Sequence, residues 1–213
     1  MHYHGTPITP RAQLERMAGR CFCVSFAAPQ DLATCLRIGQ SVMLDNGAFS
    51  TFTRGEPFDE AGFYDWIRPV LAPPHWAVVP DVIDGTMAQQ REMVARWPYR
   101  RDLGAPVFHL GLPLEYLLEL TAEWPRVYLG SSGEYWEVGS AKWAARMDEV
   151  FNALARWQVK PPRHLMERVV PLILAPEWAG THPEPPATRC GAELIDDLLT
   201  LLRRPSPIGH EAR

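Results

Sequence analysis

Four short apolar runs recur along the chain, and each ends in polar side chains with glycine close behind. Runs of this length and composition are typical of the buried strands of parallel sheets. The polar residues after them are Asp45, Asp81 and His109 at three strand ends and the glycine-rich turn 130–134 at the fourth. Carboxyl ends of parallel strands lie at one edge of a sheet. The pattern therefore predicts parallel strands whose ends converge on one site.

Segments with helical periodicity separate the runs, so strand and helix alternate at least five times. The spacings are too long for hairpins and indicate βα units wound in one direction, which both open doubly wound sheets and closed barrels fit. We expect loops at 1–12 and 51–57, and strands at 21–26, 42–44, 76–80, 105–109, 126–130 and within 163–175. We expect helices at 11–18, 30–38, 85–97, 113–123, 138–157 and 190–203, and one that Asp59 caps and Pro73-Pro74 ends.

At 213 residues the chain suits one α/β domain with a sizeable core and is short for two. We expect βα units with the strand-end site over 1–160, a proline-rich irregular segment over 161–189, and a C-terminal helix and tail over 190–213. A complete eight-unit barrel takes about 250 residues. A barrel here would therefore be short or incomplete at its C-terminal end.

Composition places the chain among ordinary globular proteins, with 46% hydrophobic and 22% charged residues. Its net charge of −4 gives no global attraction to nucleic acid, so a nucleic-acid substrate would need a local basic face. Arg96, Arg100 and Arg101 lie around Trp97 and Tyr99 and are one candidate. A cluster of this size is more often only a solvated surface.

The four cysteines form no metal-binding pattern. Cys21 and Cys23 would share one face of a strand, but the sequence lacks the second pair or nearby histidines of a zinc site. We therefore predict reduced cysteines, no metal and no cofactor. No apolar run reaches the ~18–20 residues that span a bilayer, and no signal-peptide pattern opens the chain. This predicts a cytoplasmic protein without membrane contact.

The strand-end residues suit chemistry on a nucleobase and its glycosidic bond. Asp45 and Asp81 are two carboxylates on separate strand ends, as acid/base or nucleophilic work at a glycosidic carbon requires. A carboxylate also matches the two parallel N–H donors of a guanine edge. The 130–133 backbone would turn N–H groups toward a carbonyl oxygen, and His109 and Glu134 complete the set. The alternative is that the acidic residues cap helices in the βα loops.

Five stretches carry motifs in a fixed order. The residues are Leu-Asp-Asn-Gly-Ala-Phe at 44–49, Pro-Asp at 80–81, Val-Phe-His-Leu-Gly at 107–111, Gly-Ser-Ser-Gly-Glu at 130–134 and His-Leu-Met at 164–166. In the same order they resemble the Asp-Ser-Gly-Gly-Phe motif, the base-recognising aspartate, and the Val-Gln-Gly, Gly-Gly-Leu-Ala-Val-Gly-Glu and Tyr-Leu-Met segments of tRNA-guanine transglycosylases. The resemblance covers 41–166 and is strongest to the small actinobacterial and phage transglycosylase-like proteins linked to 7-deazaguanine modification.

The resemblance implies a TIM-type (β/α) barrel and a base-exchange pentosyltransferase. Such an enzyme replaces guanine by a 7-deazaguanine base in DNA or tRNA through double displacement at C1′. It implies that Asp45 is the general acid/base, that Asp81 binds N1 and the exocyclic amine, and that the turn around Gly130 holds the O6 carbonyl. The base-binding residues implied are Asp45, Asn46, Asp81, His109, Gly130, Ser131, Ser132, Gly133 and Glu134.

The chain departs from the family at its nucleophile and at its zinc site. Small relatives have an Asp-Ser-Thr segment after a Leu-His-Met-Leu stretch, whereas here 164–167 is His-Leu-Met-Glu and a proline-rich run follows. Asp196 could match the nucleophile of the larger enzymes, or it could lie on the polar face of a C-terminal helix. The three cysteines and the histidine of the family's zinc site are absent from the sequence.

Two other functions stay open on the sequence alone. A nucleoside or glycoside hydrolase would use the same carboxylates with water as the acceptor and would release free base. A catalytically inactive protein that binds a deazapurine or nucleic acid would fit the missing Asp-Ser-Thr segment. Related transglycosylases commonly dimerise, so a homodimer in which the partner subunit supplies missing strands or the nucleophile is a further expectation.

Overall fold

The computed structural model describes residues 2–156 and the strand Val169–Pro171. These residues belong to one compact unit, which spans Met1–Pro176. Its strands are β1 (Tyr3–Gly5), β2 (Cys21–Ser25), β3 (Ser41–Asp45), β4 (Trp76–Val78), β5 (Gly104–Ala105), β6 (Val107–His109), β7 (Val127–Gly130) and β8 (Val169–Pro171). Its helices are α1 (Arg11–Glu15), α2 (Leu32–Ile38), α3 (Ala48–Arg54), α4 (Glu60–Ile67), α5 (Met87–Ala95), α6 (Leu114–Glu123) and α7 (Ala141–Arg156).

Every strand pairing is parallel, and neighbours in space are neighbours in sequence. One sheet has the order β1-β2-β3-β4-β5, and a second has the order β6-β7-β8. Only Pro106, which has no N–H to donate, separates β5 from β6. Hydrogen bonds continue on both sides of it, since Val79 N donates to Ala105 O at 2.9 Å and Tyr128 N donates to Pro106 O at 2.8 Å. The predicted α/β class with parallel strands is confirmed.

The described strands curl around a concave face. Tyr128 Oη on β7 lies 2.8 Å from Met43 Sδ on β3. In a flat sheet three strand spacings would separate those backbones by about 14 Å, too far for side chains that stand perpendicular to the sheet. Trp76 of β4 joins the same face, because its Nε1 donates to Tyr3 Oη at 2.8 Å and its ring centroid lies 5.9 Å from that of Tyr128.

The alternation of side chains along each strand separates two hydrophobic clusters. The convex face packs under the helices, with Phe22, Val42, Leu44, Val79, Phe108 and Leu129 meeting Leu14, Cys35, Phe63, Ile67, Leu117 and Val150. The concave face holds the cluster Met43, Trp76, Val78, Ala105, Val107 and Tyr128. Asp45, His109 and Gly130 stand two residues beyond Met43, Val107 and Tyr128 on their strands. They therefore follow the concave side at the carboxyl edge.

Four local expectations were wrong. The helix that Asp59 caps ends at Ile67, two residues before Pro69, and not at Pro73-Pro74. The segment 51–57 is not a loop throughout, because α3 (Ala48–Arg54) starts after Gly47 and ends at Gly55, both with positive φ. The expected loop 1–12 contains β1, which β2 holds in register over three residues. The expected continuous strand 105–109 is broken at Pro106. The expected cap of Asp59 on α4 and the strand within 163–175 are confirmed, while 161–168, 172–189 and 190–213 lie outside the described residues.

Within the described part of the chain, no helix combines the length and the apolarity that crossing a bilayer requires.

Candidate functional site

The carboxyl edge brings together polar residues from four strand ends. Asn46 follows β3 directly, Asp81 lies three residues after β4, His109 ends β6, and Ser132 lies two residues after β7. The side chains of the first three are almost fully enclosed, with 3%, 8% and 5% of their residues' surface exposed. Ser132 is half-buried. The predicted convergence of strand ends is therefore present for Asn46, Asp81, His109 and Ser132.

Asp81 is the centre of this network. Its Oδ1 accepts a hydrogen bond from Asn46 Nδ2 at 2.8 Å, and its Oδ2 lies 2.7 Å from His109 Nε2. On the other side of the imidazole, His109 Nδ1 lies 3.1 Å from Ser132 Oγ. A buried carboxylate is costly unless it is paired. The two partners of Asp81 meet that requirement within the protein.

Every polar group of the Asn46 side chain is hydrogen-bonded within the protein. Its Nδ2 also donates to Val79 O at 3.0 Å, and its Oδ1 accepts from Ala48 N at 2.8 Å. Both amide hydrogens and the carbonyl oxygen therefore have partners. Because these bonds reach the end of β4 and the first residue of α3, they fix the direction of the Asp81 carboxylate.

Gln90 on α5 supports the loop behind Asp81. It is 1% exposed, and its amide accepts from Val82 N at 3.1 Å and donates to Val82 O. These two bonds satisfy the backbone N–H and C=O of Val82, the residue after Asp81, as a neighbouring strand would. Sequence reasoning missed Gln90, since a glutamine in a mixed-polarity helix gives no signal that it faces inward.

Asp45 lies at the same edge but is held differently. It is half-buried, and its Oδ2 accepts from Gly47 N at 3.1 Å. Its charge reaches the concave interior, because burial first and the Asp45 carboxylate second raise the pKa of the Cys23 thiol well above its ordinary value. Burial, Cys23 and Asp45 in that order raise the pKa of Tyr128 in the same way. Asp45 therefore places negative charge at the mouth of the concave face.

The turn after β7 divides its residues among different partners. Ser131 Oγ accepts from Trp143 Nε1 of α7 at 2.9 Å, whereas Ser132 contacts His109. Glu134 is exposed and ion-paired with Lys142, whose ammonium holds the pKa of that carboxyl below its usual range. Glu134 and Ser131 were predicted to bind the base with Ser132, but the structure brings only Ser132 into the network.

Gly130 and Gly133 are needed where they stand. A Cβ on Gly130 would lie 2.9 Å from Val107 Cγ1 and 3.2 Å from His109 Nδ1, so only glycine lets the imidazole lie against β7. Gly133 has φ of +56°, a conformation that side chains disfavour. A Cβ there would lie 3.5 Å from Asp84 Oδ1, which shows that the loops after β4 and β7 approach each other beside His109.

Three further predictions concern the nucleophile, a metal site and the basic cluster. Asp196 lies outside the described residues. No group of three or more His, Cys, Asp or Glu side chains within 2–156 could hold a metal ion. The basic cluster carries little excess charge, because its arginines are paired with carboxylates: Arg96 with Glu60 and Glu92, Arg100 with Asp102, and Arg101 with Glu123.

No family model, no curated protein and no solved structure matches this chain.

Proposed function

We propose that the protein is a base-exchange glycosyltransferase of the transglycosylase type, built on a TIM-type barrel. It would bind guanine or a 7-deazaguanine base at the carboxyl edge and exchange that base at C1′ of a nucleotide in DNA or tRNA in the cytoplasm. The sequential parallel order of the strands and the curl that joins Tyr3, Trp76 and Tyr128 support the barrel. In active barrels the chemistry lies at the carboxyl ends of the strands.

One observation carries the proposal, namely that carboxylates from two successive strand ends lie at this edge. Asp45 and Asp81 belong to β3 and to the loop after β4, and Asn46 joins the two segments through its bond to Asp81. A carboxylate has about four acceptor positions, and Asn46 and His109 occupy two of those on Asp81. The remaining two can accept from N1–H and the exocyclic amine of a guanine edge.

In this proposal the Asp45 carboxylate is the general acid/base. Its carboxylate is held by Gly47 N and faces the mouth of the concave side, where a departing base would need a proton and an entering base would need to lose one. Displacement of the base by an enzyme carboxylate at C1′, followed by attack of the second base, splits one difficult substitution into two and retains configuration. The sequence offers Asp196 as a candidate for the attacking carboxylate, and this residue lies outside the described residues.

The test is incorporation of labelled guanine into DNA and, separately, into tRNA. We expect label in one polymer for the wild type and none for Asp45→Asn. The matched control is Asp65→Asn, an exposed carboxylate on α4 that pairs with Arg68, and it should retain wild-type incorporation. Full incorporation by Asp45→Asn would overturn the assignment. Loss in Asp196→Ala with a retained fold would support that residue as the nucleophile.

A second candidate function is a guanine-binding protein without turnover. It is favoured by the sequence, which lacks the Asp-Ser-Thr segment that supplies the nucleophile in the small relatives. Guanine bound in a calorimeter, with no label in either polymer and no released base, would select this candidate. Release of free base without incorporation would select a hydrolase instead.

A further inference from the structure

Ser132, His109 and Asp81 form a continuous hydrogen-bonded chain that base exchange does not explain. The chain runs from Ser132 Oγ to His109 Nδ1 at 3.1 Å and from His109 Nε2 to Asp81 Oδ2 at 2.7 Å. An ionised Asp81 can only accept, so it assigns the imidazole proton to Nε2 and leaves Nδ1 to accept the proton of the serine hydroxyl. The order serine, imidazole, carboxylate is that of a catalytic triad, with the two ring nitrogens exchanged relative to the serine proteases.

The burial of the three residues follows the same logic. Asp81 and His109 are 8% and 5% exposed, while Ser132 is half-buried and can meet a substrate. Asn46 fixes Asp81 from its far side, and Gln90 fixes the loop that follows. His109 and its orienting carboxylate are therefore rigid and largely shielded from water, and Ser132 is the most exposed member of the chain.

The backbone places Ser132 between a strand and a short helix, in extended conformation (φ −137°, ψ 172°) and without the strain of a nucleophile elbow. Ser132 follows β7 and precedes the short 3-10 helix Gly133–Tyr135. Glycine two residues before such a serine allows close packing, and here Gly130 is the residue whose Cβ would meet Val107 and His109. The second glycine of that pattern is replaced by Glu134, while Gly133 supplies the backbone N–H next after the nucleophile.

We infer that Ser132 is a catalytic nucleophile, activated by His109 with Asp81 as the positioning residue, and that the protein cleaves carboxylic esters. Trp136 and Val138 on the same turn are exposed, at 56% and 37%, and offer an apolar surface to an acyl group. The inference is independent of base exchange, since it needs neither a nucleobase nor Asp45.

The chemical step balances within these residues. Ser132 Oγ bonds to the ester carbonyl carbon as its proton moves to His109 Nδ1, and the carbonyl π electrons move to oxygen. When that pair returns, the bond from carbon to the alcohol oxygen breaks, and the proton on Nδ1 passes to the leaving alcohol. A water molecule then repeats the same two steps on the acyl-serine, which releases the carboxylic acid and restores the hydroxyl.

The test is labelling of the folded protein with an alkyl fluorophosphonate, followed by trypsin digestion and peptide mass spectrometry. Trypsin cuts after Arg126 and Lys142, so a single peptide contains Ser131, Ser132 and Ser140. Two of the three serines in that peptide act as internal controls. We expect the label on Ser132 alone, and none on Ser132 in protein unfolded before the probe is added.

Two variants separate catalysis from structure. Ser132→Ala removes one half-buried oxygen, should fold, and should lose both the label and the hydrolysis of p-nitrophenyl acetate. His109→Gln keeps an amide that can bond Asp81 but cannot accept a proton, so labelling should slow by about 100-fold or more. Urea unfolding of each variant checks that the fold is retained.

Three results would overturn the inference. These are equal labelling of Ser131 and Ser140, no label on folded wild-type protein, and a folded His109→Gln variant that labels at the wild-type rate. None of them involves guanine or nucleic acid, so the base-exchange proposal can fail or stand separately.

Discussion

Asn46 is the residue whose loss should reveal how tightly the edge is held. Its side chain is 3% exposed and makes three hydrogen bonds, to the Asp81 carboxylate, to Val79 O and from Ala48 N. A hydrogen bond to a charged group contributes about 1.5–3 kcal/mol, and a neutral one contributes about 0.5–1.5 kcal/mol. Asn46→Ala leaves all three partners buried without Asn46. We therefore expect the free energy of unfolding to fall by about 3–5 kcal/mol.

Urea unfolding, followed by tryptophan fluorescence, measures this loss. With a slope of about 2–3 kcal/mol per molar, the midpoint should fall by about 1–2 M while the slope stays constant. The matched control is Asn152→Ala, the only other asparagine in the chain, which is exposed on α7. Alanine is the better helix former, so this control should be neutral or stabilised by up to about 0.7 kcal/mol.

A specific result would refute the reasoning. If Asn46→Ala unfolds within about 0.3 M urea of the wild type at the same slope, Asn46 does not hold the Asp81 carboxylate. The network would then be a set of weak contacts, and both the base site and the serine nucleophile would lose their rigid support. A large loss with unchanged guanine binding would separate the role of Asn46 in stability from its predicted contact with the base.

Three other residues give testable predictions of stability or labelling. Gly130→Ala should cost about 1–3 kcal/mol in urea and abolish the fluorophosphonate label, because the added Cβ would lie 3.2 Å from His109 Nδ1. The free energy of unfolding should fall as the pH rises from about 10 to about 12. Burial raises the pKa of Tyr116 to about 12, so in this pH range only the unfolded state loses the phenol proton. Tyr116→Phe should flatten that part of the pH dependence. Asp59→Ala should lower the unfolding free energy by about 1 kcal/mol in urea, because it removes the acceptor of Gly62 N at the start of α4.

The fold could be predicted where local pattern and tertiary packing agree. The run 42–44 ends at a carboxylate and glycine, and β3 (Ser41–Asp45) lies there. The expectation of a loop at 51–57 is wrong because Gly55 ends a helix that starts after Gly47. β1 is only three residues long and depends on its hydrogen bonds to β2, which a loop-like composition does not show. Pro106 interrupts a run that hydrophobicity alone presents as continuous.

The sequence predicts that these strand ends converge, but it does not predict which side chains hydrogen-bond to each other. Parallel strand ends bring Asp81 and His109 to one edge, as expected from their positions after apolar runs. Which oxygen of Asp81 meets which nitrogen depends on side-chain directions that tertiary packing decides. For the same reason the sequence could not tell Ser131 from Ser132, since neighbouring residues of a turn face opposite ways: one meets Trp143 and the other His109.

The bonds at the carboxyl edge also bear on how the chain matures during synthesis. Asn46 bonds to a residue 35 positions later, Asp81 to one 28 positions later, and His109 to one 23 positions later. Pairings between such distant segments form slowly, because each must close a loop first. A nascent chain that has emerged only as far as β6 can complete the strands before it, but its imidazole still lacks the serine. Chemistry at Ser132 would therefore begin only after β7 has left the ribosome, so that partly made chains stay inert.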